Sequence, residues 1–227
     1  MKKTIIIILV AITQFAFAQK NNFTESFVQE NCEWVNIGRN QYFILEPNFQ
    51  LTLQGKEGKD TTTLVITVKN ETKKIGNVET RVVEEREWEN GILIEVSQNY
   101  FAICKSSNTV FYFGEEVDNY KDGKVDNHSG SWLADQPGCQ SGVQMPGIIL
   151  LGSRYFQEQA PKTAMDKAEI ISNTETMNTP AGNFTNVLKT EETTAMNLKE
   201  KEYKFYAPNI GLIKEGEMLL LKYGFAK

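Results

Sequence analysis

From Thr61 onward, the chain alternates between runs rich in β-branched and aromatic residues and short turn-forming groups. In the run TTLVITVKNET, Leu64, Ile66 and Val68 alternate with Val65 and Thr67, so one face is fully apolar and the other is mixed. This period of two is typical of a β-strand that buries one face. The pattern predicts an antiparallel meander.

Turn signals separate the predicted strands. Asn90-Gly91 divides two runs of similar length, and this pair tolerates the positive φ angles of a type I′ hairpin turn. Asp122-Gly123 has the same character. Later in the chain, Pro180-Ala181-Gly182 and Pro208-Asn209-Ile210-Gly211 combine the fixed φ of proline with the conformational freedom of glycine. We therefore expect about ten strands joined mostly by short connections.

An antiparallel sheet of about ten strands with one apolar face must curl or close to bury that face. We predict a mainly β fold, in which the meander is rolled into a half-barrel or barrel with one or two short helices. A helix is expected near residues 22–35. Residues 42–227 form the single β domain, residues 19–41 precede it with helical potential, and the Pro- and Gly-rich residues 134–152 are predicted to be a long loop.

The N-terminus predicts export from the cell. Lys2 and Lys3 precede the apolar run 5–12, which is followed by Ala16-Phe17-Ala18. A basic start, a short apolar core and an A-x-A site are typical of a signal peptide, here residues 1–18, whereas a membrane span needs about 20 apolar residues. We expect a soluble periplasmic or extracellular protein of the bacterial cell envelope that does not span the membrane.

Charge and composition exclude several partners. The chain has 24 Lys and Arg against 29 Asp and Glu, a formal net charge of −5. Nucleic acid is therefore a poor partner, since binding a polyanion usually needs clustered cations. The single histidine, His128, excludes a His-rich metal site, and we expect neither a metal nor a cofactor.

Three cysteines are present at Cys32, Cys104 and Cys139, so an oxidising compartment would leave one unpaired. Cys104 and Cys139 lie at the ends of predicted strands in the same half of the chain, and we predict a disulfide between them. No C-x-x-C spacing supports a zinc ribbon or a thioredoxin-type site.

Acidic residues are concentrated in two of the predicted strands, at Glu84, Glu85, Glu87, Glu89, Glu115, Glu116 and Asp118. A pair of carboxyl groups could provide the acid and base of a glycosidase. Alternate residues of a strand, however, point to opposite faces, one of which is normally in contact with water. A solvated edge is the expected outcome.

The strings TPAGNFTNVLKTEE and YKFYAPNIGLIKEG carry a family resemblance. A Pro-x-Gly-x-Phe turn and strand followed by Tyr-Ala-Pro-x-x-Gly-Leu resembles the signature of a broad set of exported bacterial proteins of unknown function. The matching positions are Pro180, Gly182, Phe184, Tyr206, Ala207, Pro208, Gly211 and Leu212. The resemblance covers most of residues 42–216 and implies a curved antiparallel sheet akin to periplasmic lipoprotein carriers, but it does not indicate an activity.

These patterns favour a non-catalytic binding or carrier module for an apolar small molecule or lipid. The residues predicted to line its site are Trp88, Tyr112, Trp132, Met145 and Tyr206, with the loop 134–152 as a lid. Two alternatives remain open at this point. One is a structural or protein-interaction module with a filled core and an envelope protein as partner, and the other is an envelope hydrolase.

Overall fold

The computed structural model describes residues 23–197 and 199–226, and every regular element in these ranges is a β-strand. The predicted signal peptide lies outside the described residues. The strands are β1 Trp34–Val35, β2 Gly38–Asn40, β3 Phe43–Leu45, β4 Phe49–Glu57, β5 Asp60–Ile75, β6 Val78–Glu89, β7 Ile92–Cys104, β8 Thr109–Lys121, β9 Lys124–Asn127, β10 Trp132–Leu133, β11 Gln140–Met145, β12 Arg154–Phe156, β13 Glu158–Gln159, β14 Asp166–Thr179, β15 Gly182–Thr194, β16 Lys201–Ala207, β17 Gly211–Glu215 and β18 Met218–Phe225.

Thirteen of these strands form one continuous antiparallel path in the order β12-β14-β15-β16-β17-β18-β4-β5-β6-β7-β8-β11-β13. Its two end strands are separated in sequence only by Gln157. β12 pairs with β14, while β13 pairs with β11. A single short segment therefore bridges the two sides, and the sheet curls into a nearly closed barrel.

The mainly β, antiparallel fold was predicted correctly, but the predicted count of ten strands is too low and the helix near residues 22–35 is wrong. That segment is irregular before β1, which pairs with Ile103 and Cys104 of β7. Phe27 and Trp34 both pack edge-on against Phe111, with ring centroids 5.8 Å and 5.4 Å away. Contacts with the outside of the barrel thus determine the conformation of this segment more than its local helix propensity does. Across the described residues, no helix has the length and apolar character required to cross a membrane.

The predicted turns are confirmed. Asn90 and Gly91 have φ angles of 52° and 81°, and Asp122 and Gly123 have 53° and 74°. Two consecutive positive φ angles are what a type I′ turn requires. The two proline-containing groups join β14 to β15 and β16 to β17, as their composition predicts.

Residues 134–152 do not form one loop. They contain β11, which pairs with both β8 and β13. Gly142 makes this possible, because a Cβ atom there would collide with the backbone of Phe156 and Gln157. The end of the segment remains irregular and exposes Ile148 and Leu150. The middle of the predicted lid is therefore part of the barrel wall.

The disulfide links Cys32 to Cys104, whose Cα atoms are 5.1 Å apart, so the predicted Cys104–Cys139 pair is wrong. The pairing of β1 with β7 brings Cys32 to the end of β7. Cys139 is a free, half-buried thiol in the turn before β11, where its backbone N–H donates to the Gln136 carbonyl at 3.0 Å. The prediction failed because it did not include β1.

β2 and β3 form a separate hairpin, here called the plug hairpin, which covers one end of the barrel. The Tyr42 hydroxyl donates to the Asn186 carbonyl at 3.1 Å, and Asn40 Nδ2 donates to the Asn108 carbonyl at 2.9 Å. Asn108 lies in the turn between β7 and β8, and Asn186 lies in the first half of β15, next to the Pro180-Ala181-Gly182 turn at the same end of the sheet. The plug hairpin therefore closes the end of the barrel opposite the Asn90-Gly91 turn.

Candidate functional site

Beside the plug hairpin, the barrel encloses an apolar cavity of about 90 Å³. The apolar side chains that line it include Phe43, Phe49, Leu51, Ile66, Val68 and Phe101. They come from strands on several sides of the barrel. The interior of the barrel is therefore hollow rather than completely filled.

An acidic cavity of about 290 Å³ adjoins the apolar cavity toward the Asn90-Gly91 end. Its polar lining consists of five carboxyl groups, contributed by Glu85, Glu87, Glu95, Glu202 and Glu215. Glu85 and Glu215 line both cavities, so the two form one interior with two chemically different ends.

The strand register explains why carboxyl groups point inward. Leu64 of β5 lies opposite Glu87 of β6, which lies opposite Glu95 of β7. Glu85 lies in the next inward row, opposite Ile66. Because directly paired residues in neighbouring strands project from the same face, the apolar face of β5 continues into an acidic face on β6 and β7.

The expectation of a solvated edge is therefore wrong for Glu85, Glu87 and Glu115. Glu115 pairs with Asn99 of β7 and with Trp132 of β10, so its side chain is also enclosed. Each of these glutamates has a neighbour in sequence that faces outward. The prediction that alternate residues of these strands point to opposite faces is correct. The error was to assume that the face carrying these glutamates is the one in contact with bulk water.

Burial strongly perturbs three of the inward carboxyl groups. Desolvation, followed by repulsion from Glu215, raises the pKa of Glu85 from 4.5 to about 8. Desolvation likewise raises the pKa of Glu115 to about 7, although hydrogen bonding from Tyr112 opposes this shift. The pKa of Glu158 is raised well above its ordinary value by desolvation and then by repulsion from Asp166. Glu85 keeps some accessible surface because it faces the cavities, but protein surrounds it on all sides.

Carboxyl groups on the outer face behave in the opposite way. Glu84 accepts a hydrogen bond from Arg86 Nε at 3.0 Å and lies 3.5 Å from Lys69 Nζ. The hydrogen bond from Arg86 is the main reason why the pKa of Glu84 is lowered. Glu116 is paired with Lys73 Nζ at 2.6 Å and is hydrogen-bonded by Tyr100. These outward carboxyl groups are each paired with a cation on the outer side of the sheet, whereas their inward neighbours are not.

A lysine is also held in the interior. Lys204 Nζ lies 2.7 Å from Glu215 Oε1 and 3.3 Å from Glu192 Oε2. Burial lowers the pKa of Lys204, but attraction to Glu192 and Glu215 outweighs burial, so the pKa is raised well above its ordinary value. Lys204 therefore remains a buried ammonium group that neutralises part of the acidic end.

Aromatic side chains surround the carboxyl groups. The Tyr112 ring stacks on Phe101 with centroids 4.8 Å apart and meets Trp132 edge-on at 5.3 Å. The Tyr112 hydroxyl donates to Asn99 Oδ1 at 2.5 Å. The Trp132 indole is close enough to Glu115 to lower the pKa of that carboxyl group, yet its N–H makes no hydrogen bond of normal geometry. Tyr112 thus connects the apolar end of the interior to the acidic end.

The five predicted site residues have different locations. Tyr112, Trp132 and Tyr206 all face the interior, and Tyr206 lines the apolar cavity. Met145 is completely buried in the core and pairs with Val110. Trp88 lies on the outer face. It follows the inward Glu87 directly, and the pairing of these two residues with Leu64 and Thr63 of β5 has no bulge between them.

Neither Glu158 nor Lys204 was predicted from the sequence to have a role, and Glu85 and Glu115 were predicted to be surface residues. The position of Glu85 could have been predicted from that of Val83. The two residues are two positions apart in β6 and therefore share a face, and Val83 is buried. Glu158 gave no comparable signal, because the short segment that carries it resembles a loop.

Within residues 23–197 and 199–226, no three His, Cys, Asp or Glu side chains are grouped as ligands for a metal ion. Comparison of the chain with protein families, curated proteins and solved structures found no match. The chemistry of the interior is therefore the basis for assigning a function.

Proposed function

We propose that the protein is a non-catalytic binding module that holds a small molecule with an apolar part inside the barrel. The observation that carries this proposal is the hollow interior, whose apolar cavity lies against the plug hairpin and opens into a larger polar cavity. Removing apolar ligand surface from water contributes about 25 cal/mol per Å², and a preformed cavity provides this without reorganisation of the fold.

Two sequence features support a carrier role in the cell envelope. The signal-like N-terminus suggests export, and the Pro-x-Gly-x-Phe and Tyr-Ala-Pro-x-x-Gly-Leu strings resemble those of exported bacterial proteins. A carrier must enclose its ligand and also release it. A nearly closed sheet provides the enclosure, and its incomplete closure provides a route for release.

The two alternatives have less support. A filled-core interaction module does not account for the cavities. A hydrolase is favoured by one observation, the pKa values of about 8 and 7 for Glu85 and Glu115, since a catalytic acid must retain its proton near neutral pH. On that alternative, Glu115→Gln would abolish turnover of 4-nitrophenyl glycosides, whereas the binding module has no turnover to lose.

The test is binding of 1-octanol to the folded protein, measured by isothermal titration calorimetry. Ile66 lines the apolar cavity, and Val65 occupies the next position of β5 on the outer face. We expect the wild type to bind 1-octanol, Ile66→Trp to weaken binding at least tenfold by filling the cavity, and Val65→Trp to bind as the wild type does. No binding by the wild type, or equal binding by the two variants, would contradict the proposal.

A further inference from the structure

We propose that the apolar cavity recognises, through the side chain of Gln144, an uncharged head group that both donates and accepts hydrogen bonds, such as a hydroxyl or a primary amide. This inference rests on the proposed binding function and specifies the chemical class of the ligand. It is carried by a break in strand pairing that turns a polar side chain into the cavity, and by the state of the other polar groups that line the same cavity.

Gln144 faces the interior because of a β-bulge in β11. Val143 pairs with Phe111 of β8, and Met145 pairs with the next residue, Val110, so Gln144 is an extra residue without a partner opposite it. Met145 is fully buried in the core, and Gln144 lines the cavity. In a regular strand, consecutive side chains point to opposite faces, so an inward Met145 would leave Gln144 facing outward. The bulge places both side chains inside, and re-aiming a side chain in this way is a common use of bulges beside functional sites.

The amide group of Gln144 is without a hydrogen-bond partner among residues 23–197 and 199–226. The side chain is half-buried and lies beside the apolar residues of the cavity. It offers an acceptor oxygen and two donor hydrogens. A polar group in apolar surroundings is costly unless water or a ligand satisfies it. A methionine here would occupy similar space without that cost, so packing alone does not account for the glutamine.

Three other polar side chains of the cavity are already partnered. Lys204 Nζ lies 2.7 Å from Glu215 Oε1 and 3.3 Å from Glu192 Oε2. The hydroxyl of Tyr206 donates to Glu192 Oε1 at 3.3 Å. The charges of Lys204 and Glu215 are therefore balanced within the protein, and the cavity presents no unpaired cation to a ligand.

Glu85 is the remaining polar side chain of the cavity. It makes neither a hydrogen bond nor an ion pair within 4 Å in the part of the chain that the structure describes. Desolvation raises the pKa of Glu85 to about 8, so near neutral pH it is mostly a protonated, uncharged carboxyl group. Such a group both donates and accepts hydrogen bonds, as Gln144 does. The polar groups that are free to bind a ligand in this cavity are thus uncharged.

This lining favours an uncharged amphiphile over a fatty acid or an amine. A carboxylate would find no unpaired cation, and burying an anion without one is costly. An ammonium group would find a carboxyl partner only after Glu85 had given up its proton. A pure hydrocarbon would leave the amide of Gln144 unsatisfied. A hydroxyl or a primary amide satisfies that amide and brings no charge into the cavity.

The experiment compares five six-carbon compounds by isothermal titration calorimetry at pH 7: 1-hexanol, hexanamide, hexanoate, n-hexylamine and 1-chlorohexane. The chloride has no hydrogen-bond donor and is a poor acceptor, so its binding reports apolar burial alone. We expect 1-hexanol and hexanamide to bind to the wild type at least tenfold more tightly than hexanoate and n-hexylamine.

Two variants test the role of Gln144. Gln144→Met removes the amide and keeps the length of the side chain, whereas Gln140→Met makes the same change at an exposed position of β11 that lines neither interior cavity. We expect Gln144→Met to weaken binding of 1-hexanol and hexanamide about tenfold and not to weaken binding of 1-chlorohexane. Gln140→Met should bind all five compounds as the wild type does.

The outcomes separate the two proposals. Head-group recognition by Gln144 is wrong if hexanoate or n-hexylamine binds as tightly as 1-hexanol. It is also wrong if Gln144→Met weakens 1-hexanol no more than it weakens 1-chlorohexane, or no more than Gln140→Met does, in which case water satisfies the amide. Binding of any of the compounds would still uphold the binding module in these cases. If none of the five binds, the binding module itself is wrong, and the head-group proposal falls with it.

Discussion

The two ends of the barrel interior are built from the same strands but have opposite chemistry. On β5 and β6, the inward pair Val68 and Val83 lies toward the plug hairpin, whereas the inward pair Leu64 and Glu87 lies toward the acidic end. Apolar burial stabilises the first end, and the desolvated carboxyl groups destabilise the second. Buried carboxyl groups that lower stability are candidates for function, and in this barrel they lie at one end of the interior.

The largest expected effect concerns the apolar end, where the disulfide ties the segment preceding the plug hairpin to β7. Cys32 and Cys104 are separated by 72 residues, and closing a loop of that size contributes about 4 kcal/mol in the chain-entropy model. The double variant Cys32→Ser, Cys104→Ser should lose about this much free energy of unfolding in urea titrations. Cys139→Ser is the control and should change little. Equal losses in the two variants would show that the disulfide does not stabilise this end.

At the acidic end, Lys204→Met should lower the free energy of unfolding by about 3 kcal/mol at pH 8, because it leaves Glu192 and Glu215 buried without their cation. The matched control is Lys201→Met, which removes an exposed lysine paired with Glu191 and should change the free energy of unfolding far less, because exposed ion pairs contribute little. Urea titration of both variants makes the comparison. Similar losses would indicate that Lys204 is no more important than a surface lysine.

The smallest effect contrasts the inner and outer faces of one strand. The pKa of Glu85 is about 8 in the folded protein against an ordinary value of 4.5, so its protonation stabilises the fold fully below pH 4.5. That contribution is lost as the pH rises toward 8. Glu85→Gln cannot lose it. The rise in pKa corresponds to about 4 kcal/mol at pH 8 at full value, and the accessible surface that Glu85 keeps reduces this by screening to about 2 kcal/mol, by which the variant should be more stable than the wild type. Most of the difference should be gone at pH 5.

Glu84→Gln is the control for this measurement, and its effect should have the opposite sign. The pKa of Glu84 is lowered by Arg86, so its charge stabilises the fold above pH 4.5 and the variant should be slightly less stable there. Thermal unfolding at pH 5 and pH 8 gives both signs. If Glu85→Gln is destabilising at pH 8, the carboxyl group of Glu85 is ionised and paired, contrary to the structure.

The parts of the fold set by local chemistry could be predicted from the sequence. Asn90-Gly91 and Asp122-Gly123 determine their turns by positive φ, which few other residue pairs tolerate. β4 could also have been found, because Phe49, Leu51 and Leu53 alternate with polar residues. These features depend only on residues that are adjacent in the chain, so the sequence is sufficient to predict them.

The remaining features depend on contacts between distant segments. Cys32 reaches Cys104 only because the two-residue strand β1 pairs with β7, and β1 is too short to have a periodic pattern. The site residues Glu85 and Glu115 look like surface glutamates until closure of the sheet decides which face is inside. A shift of one residue in the register would exchange each with its outward neighbour, and composition alone cannot detect such a shift.

Closure of the barrel depends on very few backbone pairs. β13 is joined to β11 by only two residue pairs, Gln140 with Gln159 and Ser141 with Glu158, whereas β5 and β6 are paired along most of their length. Separating so short a ladder disrupts few hydrogen bonds, and Glu158 would move with it. This seam is therefore the part of the wall whose separation would break the fewest backbone hydrogen bonds, and the strand that forms it carries the buried carboxyl group of Glu158.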